Sequence, residues 1–324
     1  MLKMEAEDIK KIAVLGAGVV GNSWVANFIW KGYPVNLWLY TGEEEESAKQ
    51  SIEKHLEGLA DNSIFRKEEI PQMLELVTYT TYIEDAVKDV EFIQEAMIED
   101  LEVKQKYLTE IDTYAKPEAI YASSTSYLLI SEIAKFSNLS KRCIGAHPFN
   151  PPHLIPLVEI TIPEGNKGSV KSAEIAKEFY ESIGKVPILL KKDVPGFVAN
   201  QIQKAVSEKC SELLENEVCT VEDIDKAVSF GPGLRWATMG PYLIFQLGGG
   251  ADGIKGLTLH IGKANLEDKS EEAVKELEVY ADFIQGEVDK EMENRSPEFG
   301  RTNESLRMFR DKLLIKILKE HKKI

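Results

Sequence analysis

Three glycines between a strand and a helix constrain this chain more than any other feature. Lys11-Ile-Ala-Val-Leu15 is a short, β-branched, apolar run. Gly16-x-Gly18-x-x-Gly21 follows at once, and Trp24, Val25, Phe28 and Ile29 then recur at helical spacing. A run of that length and composition suits a strand covered on both faces, as in a parallel sheet. The first glycine permits the tight turn out of the strand. The second lets the backbone approach a pyrophosphate, and the third lets the helix pack closely on the strand. The helix start adds free N–H groups and the positive end of the helix dipole, with Val19 and Val20 in its first turn. Gly32 closes the helix and Val35 to Tyr40 reads as a second strand, which completes a strand–turn–helix–strand unit of about 30 residues. A strand before and a helix after turn a common glycine pattern into a specific expectation: a dinucleotide held by Gly16, Gly18, Val19, Val20 and Gly21.

The fingerprint then departs from its usual form. An acid at the end of the second strand ordinarily accepts hydrogen bonds from the adenosine ribose hydroxyls. Leu39 stands there, within Trp38-Leu-Tyr-Thr-Gly42, and leucine accepts none. Tyr40, Thr41 and Glu43 are the nearest polar substitutes. A 2′-phosphate would want Arg or Lys nearby and would be repelled by Glu43 to Glu46, so NAD is expected over NADP.

Further strand signals fall at residues 77–80, 92–95, 120–123, 143–146, 157–162 and 187–190, with helical patterns between them. This alternation predicts an α/β fold with a Rossmann-type, doubly wound, mostly parallel sheet. After Lys191-Lys-Asp-Val-Pro-Gly196 the strand signals stop. Residues 197–217 read as one long helix, and helical patterning runs to residue 324. The expected organisation is an NAD-binding domain over 1–192 carrying the catalytic groups, and an all-helical domain over 193–324 for the substrate pocket and dimerisation. The last helix carries Leu306, Phe309, Leu313 and Ile317 as an apolar stripe, which suits docking or a homodimer.

Charge bears on partners. Acidic residues outnumber basic ones by 54 to 39, a net charge of −15, which argues against nucleic acid or an anionic membrane as partner. No apolar stretch reaches the roughly 18 residues of a membrane span, the N-terminus has no secretory h-region, and three cysteines show no motif spacing. A reducing, cytoplasmic setting is expected.

Gly145-Ala-His147-Pro-Phe-Asn150 lies just past a strand, where open α/β sheets bind their ligands. Glu159 follows inside the apolar segment Pro156-Leu-Val-Glu-Ile160. A buried carboxylate needs a partner, and His147 is the natural one. Glu159 would orient the imidazole and stabilise its charged form, leaving the other ring nitrogen free to move a proton. Ser123-Ser-Thr-Ser126 also follows a strand, so its hydroxyls would overhang the same crevice. Asn200 opens the helical part. Read alone, Ser126 and Asn200 are equally ordinary loop and helix residues. His55, His260 and His321 have no comparable context, and His153 is a candidate pocket-wall residue. With no His, Cys and carboxylate cluster at ligand spacing, no metal is expected.

Taken together, Gly16-x-Gly-x-x-Gly21, Gln94-Glu-Ala96, Ser123-Ser-Thr-Ser126, His147-Pro-Phe-Asn-Pro151, Leu157-Val-Glu159 and Asp193-Val-Pro-Gly-Phe-Val-Ala-Asn200 resemble the 3-hydroxyacyl-CoA dehydrogenase superfamily over roughly residues 10–260. The resemblance implies that His147 and Glu159 are catalytic, that Ser126 and Asn200 contact the substrate oxygen, and that Ala96, Glu99 and Lys104 lie along the cofactor. Phe230-Gly-Pro-Gly-Leu-Arg-Trp236 and Met239-Gly-Pro241 are most similar to the branch that oxidises L-carnitine at its 3-hydroxyl. The branch acting on L-gulonate, which includes lambda-crystallin, is next.

A small zwitterionic acid is then the first expectation for the substrate, a 3-hydroxyacyl-CoA the second and a sugar acid the third. Phe149, Asn150, Tyr127, Arg235 and Trp236 are the candidate substrate contacts. Arg235 could fork a substrate carboxylate or equally form an ion pair at a helix end. The aromatics could wall a trimethylammonium or simply fill a core. A non-catalytic dinucleotide-binding protein is the reading from a different class, and intact His147, Glu159, Ser126 and Asn200 argue against it.

Overall fold

The computed structural model describes residues 4–163 and 165–324. They fall into two compact units, one ending at Val206 and the other starting at Ser207. The first unit contains β1 (Ile12–Leu15), α1 (Val19–Trp30), β2 (Val35–Trp38), α2 (Glu44–Asp61), α3 (Ile70–Leu74), β3 (Val77–Thr80), α4 (Ile83–Val87) and β4 (Phe92–Glu95). It continues through α5 (Leu101–Tyr114), β5 (Ile120–Ser123), α6 (Ile130–Ile133), β6 (Cys143–Pro148), β7 (Leu157–Thr161), α7 (Gly168–Ser182) and β8 (Val186–Leu189) to the first part of α8 (Ala199–Glu215), whose remainder belongs to the second unit. The eight strands form one sheet in the order β3-β2-β1-β4-β5-β6-β7-β8. Only β6 and β7 pair antiparallel. This is the doubly wound, mostly parallel sheet that the alternation predicts.

Every residue of β1, β2, β4 and β5 is buried, which is why these strands read as unbroken apolar runs. Successive side chains still part company by face. Ile12 and Val14 join one core with Trp24, Phe28 and Phe179, while Ala13 and Leu15 join the other with Leu108, Ile111 and Tyr121. The sheet order reverses at β1, with β2 on one side and β4 on the other. Leu15 pairs with both Trp38 and Glu95, and Glu95 with Ser123. The carboxyl ends are therefore level, and the loops that follow share one rim at the switch point where such sheets bind ligands.

Among the boundaries that differ from the sequence reading, the end of the second strand bears on the site. The second strand stops at Trp38 instead of Tyr40. Leu39 N–H still donates to Thr80 O, but the Tyr40 and Thr41 N–H groups donate to Glu44 Oε2, at 2.7 and 3.2 Å. The side chain at the start of α2 takes the ladder's donors and turns the chain.

The second unit consists of the remainder of α8, α9 (Val221–Phe230), α10 (Pro232–Trp236), α11 (Pro241–Gly248), α12 (Gly253–Asn265), α13 (Glu271–Asn294) and α14 (Asn303–Glu320), with short 3-10 turns. Its core joins Met239, Leu243, Ile244, Ile254, Ile284, Val288 and Leu306. Of the predicted stripe on α14, Leu306 is buried, Phe309 packs against that core, and Leu313 and Ile317 are half-buried. No helix among the described residues is long and apolar enough to cross a membrane.

His153 is buried and does not line the cleft described below. Its N–H donates to Ser23 Oγ at 3.0 Å, its Nδ1 lies 2.8 Å from the same hydroxyl, and the His55 ring is 4.3 Å away. Burial, then His55 and Lys185, push its pKa down from 6.5 to about 4. The folded protein thus holds His153 neutral where the unfolded chain would protonate it. The stability this contributes is complete above pH 6.5 and is lost as pH falls toward 4. Between pH 7 and pH 4.5 the loss is about 2–3 kcal/mol. Denaturant titrations should show a steeper decline in the wild type than in His153→Gln, and parallel declines would contradict this assignment.

Candidate functional site

The turn after β1 is built by its glycines. Gly16 holds a φ of +108°, and a Cβ there would stand 2.7 Å from Ala96 O. A Cβ on Gly21 would lie 1.8 Å from Gly16 O, so α1 can approach β1 only without one. A Cβ on Gly18 would meet nothing within 4 Å. It would occupy the open space a ligand needs. Gly18 is also the N-cap of α1, which has no side-chain cap and no acid in its first turn. A helix of twelve residues begun this way leaves its first N–H groups and dipole for an external anion. In α2, by contrast, Glu44, Glu45 and Glu46 fill the first turn. These residues fit the pyrophosphate of a dinucleotide.

A cleft of about 700 Å³ opens over the turn. Gly16, Gly18, Val19, Val20, Ala96, Glu99 and Ser126 line it, as do Trp38, Tyr40 and Glu44 from the end of β2 and the start of α2. Leu39, Thr41 and Glu43 do not. Leu39 faces the opposite way, 1% exposed in the main core.

Lys104 departs from expectation. It lies beneath the cleft instead of along it, 1% exposed, with Nζ 2.6 Å from Glu95 Oε1 and 3.5 Å from Glu99 Oε2. Glu95, at the end of β4, also accepts from Ser123 Oγ at 2.5 Å, Met97 N at 2.7 Å and Tyr121 OH at 3.3 Å. Glu99 Oε1 accepts from Thr125 Oγ1 at 2.6 Å, Ser126 N at 2.8 Å and Tyr127 N at 2.9 Å. Burial alone would raise the Glu99 pKa, but these hydrogen bonds and the Lys104 charge hold it below the ordinary carboxylate value. Lys104 thereby ties the end of β4 to the turn that carries Ser126. The signal was present in the sequence, since Leu101, Lys104, Leu108 and Ile111 share one helical phase and a lysine on an apolar stripe needs a buried partner. Lys104→Met would strand Glu95 as an unpaired buried charge, with an expected loss of about 3–5 kcal/mol. An unchanged denaturation midpoint would contradict this.

Across the antiparallel β6–β7 pair, His147 stands directly opposite Glu159, so both side chains project from one face. His147 Nδ1 lies 2.9 Å from Glu159 Oε2. Glu159 Oε1 accepts from Val198 N at 2.8 Å and Ala199 N at 3.0 Å, where α8 begins. His147 is 4% exposed and Glu159 fully buried. With both carboxylate oxygens committed as acceptors, Nδ1 carries the hydrogen and Nε2 presents a lone pair.

Sequence reasoning did not single out Phe197. Its ring stacks on the imidazole at 4.7 Å and 21°, and its backbone takes a left-handed φ of 48°. That conformation costs about 1–3 kcal/mol for a non-glycine. Nothing in residue identity announces it beyond the preceding Pro195-Gly196. Phe149 meets the imidazole edge-on at 6.3 Å. Asn200 Nδ2 donates to Ser126 O at 3.4 Å, so these two sequence candidates are neighbours. Tyr127 and Asn150 are exposed. Arg235 and Trp236 lie on α10 of the second unit, Trp236 being 37% exposed.

The NAD-binding domain model of 3-hydroxyacyl-CoA dehydrogenase matches residues 11–194, and the C-terminal domain model of the same enzyme matches residues 196–283. L-carnitine dehydrogenase of Streptomyces coelicolor is 36% identical over 261 residues, 79% of each chain. A 3-hydroxyacyl-CoA dehydrogenase of Gibberella moniliformis is 37% identical over 248 residues, 75% of this chain and 74% of that one. Among solved structures, FadB2 of M. tuberculosis superposes with a TM-score of 0.64 and 26% identity, covering 93% of both chains.

Proposed function

Because this chain belongs to the 3-hydroxyacyl-CoA dehydrogenase family, and is thus an NAD-dependent oxidoreductase acting on a CH–OH group, we propose that it oxidises the 3-hydroxyl of L-carnitine to the 3-keto group of 3-dehydrocarnitine. The observation that carries the chemical part of this reading is the buried His147–Glu159 pair, whose geometry leaves Nε2 as an acceptor. Nε2 takes the hydroxyl proton as general base. Glu159 stabilises the imidazolium that results and cannot swing away, because two backbone N–H groups hold its other oxygen. Ser126 and Asn200 hold the substrate oxygen in line, where positioning supplies much of the rate. NAD, when held there, would supply the hydride acceptor for the same carbon, chemistry that belongs to the cofactor. Gly16, Gly18, Val19, Val20 and Ala96 shape its seat. Gly21 lets α1 close on β1, and Glu99 and Lys104 brace the Ser126 turn.

Carnitine is favoured over an acyl-CoA by the likeness to carnitine dehydrogenases and by the net charge of −15, which suits a cationic zwitterion better than a polyanionic CoA ester. The face of the Phe149 ring, beside His147, is the proposed aromatic surface for a trimethylammonium. Arg235 is the proposed partner of the substrate carboxylate. Arg235→Met should raise the carnitine KM by about tenfold or more, and an unchanged KM would return Arg235 to a structural role.

The likeness to the Gibberella moniliformis enzyme favours a second reading, a short 3-hydroxyacyl-CoA as substrate. NADH formation across L-carnitine, 3-hydroxybutyryl-CoA and L-gulonate separates the two. The largest kcat/KM is expected on L-carnitine, whereas turnover of the CoA ester alone would establish the second reading.

A further inference from the structure

We propose that Glu44 supplies the ribose-binding carboxylate that the end of β2 lacks, and so makes the cleft select NAD over its 2′-phosphorylated form. The inference rests on NAD occupying the cleft. The usual acid would stand at Leu39, whose side chain is packed in the core and presents no acceptor. The chain then turns through Tyr40 to Gly42, and Glu44 at the first position of α2 folds back over that turn. Its Oε2 accepts from the Tyr40 and Thr41 N–H groups, which anchors the carboxylate beside the end of β2. Glu44 lines the same cleft as Gly16 and Gly18, and Oε1 accepts no hydrogen bond among the described residues. That oxygen is a fixed, charged acceptor next to the strand end where the ribose of such folds lies.

Two neighbours support the assignment. Trp38 sits between Tyr40, edge-on at 6.2 Å, and Tyr107 at 5.0 Å, an aromatic wall suited to a nucleobase beside the ribose. Glu43, Glu45 and Glu46 deepen the negative field around Glu44, which a 2′-phosphate would have to enter. Lys106, the one cation lining the cleft among the described residues, lies with its ammonium 5.5 Å from the Tyr107 ring. No acidic residue in the second strand signals this arrangement, because the carboxylate comes from the following helix.

A purely structural role for Glu44, holding the turn, predicts a different outcome from a ligand role. Binding of ADP, 2′-deoxy-ADP, NADH and NADPH to the full-length wild type, Glu44→Gln and Glu44→Ala distinguishes them. Glutamine keeps a carbonyl for the two N–H groups but loses the charge. The wild type should bind ADP about tenfold more tightly than 2′-deoxy-ADP. In both variants that ratio should fall toward one, and the NADH-over-NADPH preference should shrink with it. A ratio unchanged by either substitution, or already near one in the wild type, would overturn the proposal while leaving NAD binding intact. Absence of NADH binding to the wild type would overturn the cofactor assignment itself, and this proposal with it.

Discussion

Glu159→Gln should lower kcat/KM by about 10²–10⁴-fold with the fold and NADH affinity retained. Two backbone N–H groups, from Val198 and Ala199, converge on Glu159 Oε1. A glutamine must keep its carbonyl oxygen there, because turning its NH₂ toward them would set donor against donor. The NH₂ is then forced toward His147 Nδ1, where Glu159 Oε2 now accepts at 2.9 Å. The imidazole must answer with a lone pair on Nδ1, which moves the hydrogen to Nε2 and removes the general base. The substitution exchanges one carboxylate oxygen for NH₂ at nearly unchanged volume, so its effect reports the tautomer and the lost charge rather than packing. A kcat/KM within a few-fold of wild type would show that the pair is structural only.

His147→Ala should abolish measurable turnover, with a fall of about 10²–10⁴-fold from loss of the base alone. NADH binding should change little, because the cradle of Gly16 and Gly18 and the edge formed by Trp38, Tyr40 and Glu44 lie on other strands of the sheet. The variant also removes the face on which Phe197 stacks, so a lower thermal midpoint is expected alongside. Fluorescence titration of NADH and steady-state rates on the same preparation separate the two effects. Retained turnover would contradict the assignment of the base. A parallel loss of NADH affinity would mean that the damage is to the fold.

What could be read from the sequence follows from where the physical constraint was local. β1 and its glycine turn were readable because a strand buried on both faces leaves a continuous apolar run, and because each glycine answers to its own steric limit. The His147–Glu159 contact was readable because a carboxylate inside the apolar strand 157–161 must have a partner. Register, which no sequence displays, is what made His147 that partner.

Elsewhere the decisive partner lay across the fold. Lys104, which the resemblance places along the cofactor, is buried against Glu95 from β4. Phe197 owes its position to a left-handed backbone angle, and Glu44 owes its position to a turn that ends β2 two residues early. His153 is held by Ser23 from α1. Propensity and periodicity describe an element by itself, and each of these four residues is defined by a contact with another.

The most direct test of the central claim uses L-carnitine bearing deuterium on C3, turned over with NAD by the wild-type protein. The account predicts NADH that carries the deuterium, formed together with 3-dehydrocarnitine, because proton and hydride leave the same CH–OH group by different routes, one to His147 and one to the cofactor. Unlabelled NADH, or no NADH from L-carnitine at all, would contradict it.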